Sequence, residues 1–106
     1  MDLKLKNKRC VVTGASQGLG RAIATILASE DCELVLVARR KKPLQDVAKS
    51  IAKKYKTKVF ILSLDVTSKN ADVKIKNFAL SKLGSIDVLI NSAGGSRPTT
   101  WDAPES

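Results

Sequence analysis

Four short, nearly continuous apolar runs alternate with three longer stretches whose apolar residues recur at helical spacing, and this alternation limits the fold more than any other feature. Residues 9–13 (Arg-Cys-Val-Val-Thr), 33–38 (Glu-Leu-Val-Leu-Val-Ala), 59–64 (Val-Phe-Ile-Leu-Ser-Leu) and 86–90 (Ile-Asp-Val-Leu-Ile) have the length and β-branched content of strands. Between them, Leu19, Ala22, Ile23, Ile26 and Leu27 mark an amphipathic helix from Gly18 to about Ser29. Pro43 opens a second helix, with Leu44, Val47, Ala48, Ile51, Ala52 and Tyr55 on its inner face. A third, capped by Thr67 or Ser68 and stopped by Gly84, turns Ala71, Ile75, Phe78, Ala79 and the stem of Lys82 inward. Strands that are apolar along their whole length need cover on both faces, which implies a parallel sheet between helices. Right-handed crossovers then predict an α/β, doubly wound sheet, βαβαβαβ, with strands in the spatial order 3-2-1-4.

The same reading makes the 106 residues one domain, with 91–106 a small, polar, Pro-containing loop. In the order 3-2-1-4 the fourth strand is an open apolar edge, and Pro104-Glu105 has the character of a further helix start, so the domain is expected to be incomplete. The absence of His removes imidazole acid/base chemistry and His-dependent metal sites. Two cysteines, Cys10 and Cys32, are too few for a disulfide scaffold and are expected to be free thiols. Residues 1–8 lack the apolar core of a secretory signal, and no run approaches the ~20 residues that span a bilayer. A soluble, cytoplasmic protein without membrane contact is expected. A net charge of +9 invites a nucleic-acid reading, but lysines occur from Lys4 to Lys82 and Tyr55, Phe60, Phe78 and Trp101 do not interleave with them as stacking platforms do. Solvated helix faces account for most of the charge, and no specific nucleic-acid partner is expected.

The first strand runs into Gly14-Ala-Ser-Gln-Gly-Leu-Gly20, directly followed by a helix. Glycines there let the backbone approach a pyrophosphate, while the free N–H groups and dipole of the helix face the anion. Gly14 makes the turn, Gly18 the close approach and Gly20 the tight helix–strand contact; Ser16 and Gln17 add side-chain donors. A connecting loop that merely needs positive φ is the plain alternative.

The second strand ends at Ala38, followed by Arg39-Arg-Lys-Lys42. An acidic residue there would bond the adenosine ribose hydroxyls and repel a 2′-phosphate. Ala38 offers no carboxylate and Arg39 can fork onto a phosphate, which favours NADP(H) over NAD(H). A solvated basic turn is the alternative.

These residues together resemble the short-chain dehydrogenase/reductase family. Its Thr-Gly-x-x-x-Gly-x-Gly signature is matched by Thr13 to Gly20, its Asp-Val pair after the third strand by Asp65-Val66, and its Asn-Asn-Ala-Gly by Asn91-Ser-Ala-Gly94. The opening Met1-Asp-Leu-x-Leu-x-x-Lys8 and Gly94-Gly-Ser-Arg-Pro98 are most similar to bacterial 3-oxoacyl-carrier-protein reductase-like members. The resemblance covers essentially the whole chain and implies the cofactor-binding, N-terminal half of a Rossmann-type domain. It assigns Gly14, Ser16, Gln17, Gly18, Leu19 and Gly20 to the pyrophosphate turn, with Arg39 and, in support, Arg40 to the 2′-phosphate. The resemblance further implies that Asp65 accepts from the adenine amino group and the Val66 backbone meets the adenine edge, and that Asn91, Ala93 and Gly94 run beside the ribose and hold the fourth strand. Ser92, in place of the family's second Asn, is expected to weaken a structural hydrogen bond. Asp31-Cys32, where a Gly often stands, makes a less favourable helix cap.

The family reaction, hydride transfer between nicotinamide and a carbonyl or alcohol, resembles acid/base catalysis by Tyr-x-x-x-Lys with a Ser. The one tyrosine, Tyr55, is followed four residues on by Val59, so no catalytic residue is assigned in this chain. A small-molecule substrate is implied only for a complete chain, as is homo-oligomerisation. A non-catalytic dinucleotide-binding module is the alternative function, and a basic nucleic-acid-binding domain a more remote one.

Overall fold

A computed structural model of the chain describes residues 7–92. Its elements follow in the order β1 (Arg9–Thr13), α1 (Gly18–Ser29), β2 (Glu33–Ala38), α2 (Lys41–Tyr55), β3 (Val59–Ser63), α3 (Ala71–Leu83) and β4 (Val88–Asn91). The four strands form one sheet in the order β3-β2-β1-β4, and every pairing is parallel. Cys10 lies opposite Leu34 on one side and Val88 on the other, while Leu34 in turn faces Val59.

Because side chains alternate across a strand, each strand divides its apolar residues between two cores. Cys10, Val12, Leu34 and Leu36 lie fully buried on one face under Ala24, Leu27 and Ala28 of α1 and Leu44, Val47 and Ile51 of α2. On the other face Val11, Val35 and Val37 meet Ile75, Ala79 and Leu83 of α3. The chain steps β1 to β2 to β3 in one direction and then places β4 beyond β1. Crossovers of one hand therefore put α1 and α2 on one face and α3 on the other. A crevice opens at the carboxyl ends of the strands where that direction reverses.

Several sequence expectations shift; α2 opens at Lys41, two residues before Pro43, and β3 ends at Ser63 rather than Leu64. The fourth strand begins at Val88 rather than Ile86, because Asp87 binds the start of β1: the Arg9 N–H donates to Asp87 Oδ2 at 2.8 Å and the Asp87 N–H to the Arg9 carbonyl at 2.7 Å. Neither Thr67 nor Ser68 caps α3; the N-cap is Asn70, in the left-handed region at φ 60°. The inner face of α1 is Gly20, Ala24, Leu27 and Ala28, leaving Leu19 and Ile26 exposed at 70% and 54%. Small residues let α1 lie close to the sheet, which the larger Leu19 and Ile26 would hold away. Cys10 and Cys32 are buried in the α1/α2 core and are not joined by a disulfide. Burial, more than the neighbouring Cys32, pushes the Cys10 thiol up to about 12, and burial also raises Cys32, so neither packs as a reactive thiolate.

Candidate functional site

Between β1 and α1 the chain must turn sharply, and it does so through Gly14 at φ 63° and Gly18 at φ 59°, values that favour glycine. The Ala15 N–H donates to the Val37 carbonyl at 3.2 Å, tethering the turn to the end of β2. Gln17 is the N-cap of α1 with extended backbone, makes no side-chain capping bond, and no acidic residue follows in the first turn. The positive end of the helix is thus left for an external anion.

Gly20 has a different reason to be glycine. A Cβ there would stand 2.0 Å from the Gly14 carbonyl oxygen and 2.5 Å from Ser92 Oγ. Below this contact, β1 and β4 are clasped together: the Thr13 hydroxyl donates to Asn91 Oδ1 at 2.9 Å, and the Ser92 hydroxyl donates to the Thr13 carbonyl. Ser92 thus makes a β1–β4 hydrogen bond at the place where its replacement of Asn is expected to weaken one.

On the far side of the crevice the β3–α3 connection folds around Asp65. Its Oδ1 accepts from the Thr67 hydroxyl at 2.7 Å and the Thr67 N–H at 2.9 Å, and its Oδ2 lies 3.7 Å from Arg39 Nη1. The Thr67 hydroxyl first, then the Thr67 N–H and more weakly the Arg39 charge, hold the Asp65 carboxyl below the usual carboxylate range. The Ser63 hydroxyl donates to the Arg39 carbonyl at 3.0 Å, fixing the backbone beneath a guanidinium side chain that is 71% exposed.

Together these segments enclose a cleft of about 460 Å³ at the carboxyl ends of β1, β2 and β3, lined by the turn residues Gly14, Ser16, Gln17, Gly18, Leu19 and Gly20 on one wall. Ala38, Arg39, Leu64, Asp65, Val66 and Thr67 form the other, and Ser92 completes it. Two expected site residues stand elsewhere. Arg40 is the exposed N-cap of α2 and is not part of the lining. Asn91 is not among the lining residues but holds the fourth strand to β1, which is one part of its expected role. Ala93 and Gly94 lie outside the described residues. Ala38, Leu64, Thr67 and Ser92 join the lining without having been expected there. Thr67 had a visible signal, a hydroxyl residue two positions after an Asp, which forms a local turn.

The arrangement has the chemistry to hold a long dianionic or more highly charged ligand: helix amides at one end, a guanidinium and an orienting carboxylate at the other, apolar walls between. Among the described residues no helix is long and apolar enough to cross a membrane.

Comparison with known proteins gives this site its relatives. The family model "short chain dehydrogenase" matches residues 8–105. An "uncharacterized oxidoreductase" of Staphylococcus aureus strain N315 is 41% identical over 90 residues, which is 85% of this chain and 38% of that protein. The crystal structure of L-sorbose reductase from Gluconobacter frateurii, complexed with NADPH and L-sorbose, superposes with a TM-score of 0.85 at 35% identity, covering 99% of this chain and 40% of that one. An alcohol dehydrogenase from the archaeon Thermococcus sibiricus, complexed with 5-hydroxy-NADP, gives 0.75 at 33% identity over 79% of this chain and 36% of its own. The chain therefore spans about two-fifths of the length of the relatives it matches.

Proposed function

The chain belongs to the short-chain dehydrogenase family, and from that premise we propose that it is the NADP(H)-holding portion of an oxidoreductase acting on a carbonyl or its alcohol. The observation that carries the cofactor choice is Arg39, which lines the cleft at the end of β2 while Ala38 beside it offers no carboxylate. A guanidinium there attracts a 2′-phosphate, and the missing acid removes the group that would repel it. The NADPH and 5-hydroxy-NADP complexes of the two related structures support the same choice.

The residues fit such a ligand because the turn between β1 and α1 is uncapped, glycine-lined and open at Gly18, where an added Cβ would meet nothing within 4 Å. When bound, the dinucleotide supplies or accepts the hydride. The chain's own residues bind and orient it. Gly14, Gly18 and the first amides of α1 take the pyrophosphate, with Ser16, Gln17 and Leu19 beside it. Gly20 keeps α1 close enough to do so, and Arg39 takes the 2′-phosphate. Asp65 receives the adenine amino group and the Val66 backbone its edge. Asn91 acts one step removed, by holding β4 to Thr13.

Proton transfer to the substrate is not placed in these residues. Tyr55, the one tyrosine, packs half-buried against the α1/α2 core, and no Lys stands four positions on. The 106 residues are therefore expected to bind cofactor without turnover. The likeness to 3-oxoacyl-carrier-protein reductases rests on residues 1–8 and 94–98, and none of the relatives above bears that name, so the substrate class stays a carbonyl or alcohol.

Calorimetric titration with NADPH and NADH tests the reading. The chain is expected to bind NADPH more tightly, and Arg39→Asp to weaken NADPH by at least about tenfold while changing NADH little. Equal losses for both dinucleotides would remove the 2′-phosphate role of Arg39.

A further inference from the structure

Arg39 is well placed but poorly held. Its backbone is fixed by Ser63, yet its side chain is largely exposed and has one ion partner among the described residues, Asp65. An arginine side chain free to rotate surrenders much conformational entropy when it grips a phosphate. Anything that restrains it over the cleft beforehand strengthens binding of a ligand that carries that phosphate, and of no other.

Asp65 is restrained in turn. Two donors of Thr67 converge on its Oδ1, which sets the plane of the carboxylate and leaves Oδ2 toward Arg39. The main chain beneath is also pinned: the Ser68 hydroxyl and N–H both donate to the Asp65 carbonyl, at 2.6 Å and 2.9 Å. The carboxylate therefore cannot turn without losing a bond.

We infer that Thr67 is a positioning residue for cofactor discrimination: by holding one oxygen of Asp65 it turns the other toward Arg39 and keeps that guanidinium over the cleft. The inference rests on the reading of Arg39 as the 2′-phosphate ligand given above. It also resolves an apparent contradiction, a carboxylate beside an intended phosphate site. Its charge opposes the phosphate, whereas its geometry arranges the cation that binds it. Removing the Thr67 hydroxyl separates the two effects, because both charges stay in place.

The test is a set of calorimetric titrations of the 106-residue chain with NADPH and NADH. Thr67 is exposed, so its replacement leaves the core intact, which circular dichroism checks. Thr67→Val removes the hydroxyl donor but keeps the N–H; any loss through the adenine contact of Asp65 is common to both dinucleotides, so the variant is expected to weaken NADPH about fivefold more than NADH. Thr67→Ala is expected to match it, and Thr67→Ser to restore the NADPH affinity. In an Arg39→Gln background, Thr67→Val is expected to weaken both dinucleotides alike, through the adenine contact of Asp65 only. Unchanged NADPH binding in Thr67→Val, equal weakening of both dinucleotides, or no rescue by serine overturns the positioning role. A wild-type chain that binds neither dinucleotide, or both equally, overturns instead the reading on which it rests.

Discussion

At Gly20 one hydrogen atom separates a folded turn from a collision. The Cβ of an alanine would lie 2.0 Å from a backbone oxygen and 2.7 Å from the carbonyl carbon of Gly14, neither of which can step aside without moving the β1–α1 turn. Gly20→Ala is thus expected to lower stability by about 2–3 kcal/mol, or roughly 10–20 °C in Tm for a domain of this size. Gly18→Ala has open space and pays only for its positive φ, about 1 kcal/mol. Thermal melts of the two variants check the contrast, and similar losses would mean that the Gly14 carbonyl gives way to an added Cβ at little cost. The turn at Gly14 and the helix–strand contact at Gly20 were legible because strand, spacing and helix fix which glycine meets what. Ser92 was not, since its importance depends on a partner that only the fold brings near: it reaches back 79 positions to Thr13. Thr67 carried a local signal, an Asp two positions before it, but its bearing on Arg39 appears only once β2 and β3 lie side by side.

Among the elements, α1 shows both what periodicity reveals and what it hides. Its extent, Gly18–Ser29, follows from apolar spacing, but the most apolar stripe is not the buried one. Periodicity weighs hydrophobicity, whereas a helix that must touch Gly14 is selected for small side chains, and Gly20, Ala24 and Ala28 score low on such a scale. The start of α3 was hidden for a related reason: Thr67 and Ser68 carry the right side chains for a cap, but Asp65 engages both hydroxyls first. The far end of α1 was legible as a weak cap, and its geometry explains why. The Cys32 N–H donates to the Leu27 carbonyl at 3.1 Å and the Asp31 N–H to the Ala28 carbonyl at 3.0 Å, a paired closure that puts Asp31 at φ 66°. Glycine adopts that conformation without strain, and it also removes a negative charge from the negative end of the helix dipole. Asp31→Gly is expected to stabilise the chain by about 0.5–1 kcal/mol, or roughly 3–6 °C in Tm. Unchanged or lower stability in urea and thermal unfolding would show that the Asp31 side chain makes a compensating interaction.

Over the whole molecule, the excess charge is far from evenly spread. Residues 39–58 carry nine basic side chains against the single acid Asp46, a net +8 within a chain whose total is +9. The buried face of α2 turns Leu44, Val47 and Ile51 to the sheet, so its lysines face solvent. Only part of this charge acts on the cleft. Arg39, Arg40, Lys41 and Lys42 sit at the end of α2 that adjoins it, whereas Lys53 and Lys54 lie in the last turn of a 15-residue helix, about 20 Å away along its axis. The screening length is about 8 Å at 0.15 M salt, so the near cations are felt there and the far ones are not. NADPH affinity is accordingly expected to fall about tenfold between 20 and 200 mM salt, and NADH affinity, lacking the 2′-phosphate, about threefold. Neutralising Lys53 and Lys54 to Gln is expected to leave both curves unchanged above 0.1 M and to lower both at 20 mM, where the screening length approaches the helix length. Titrations at four salt concentrations measure these slopes. A common slope for the two dinucleotides would mean that the basic end of α2 draws in anions without distinguishing them, and that the choice between cofactors lies in Arg39 and its restraint alone.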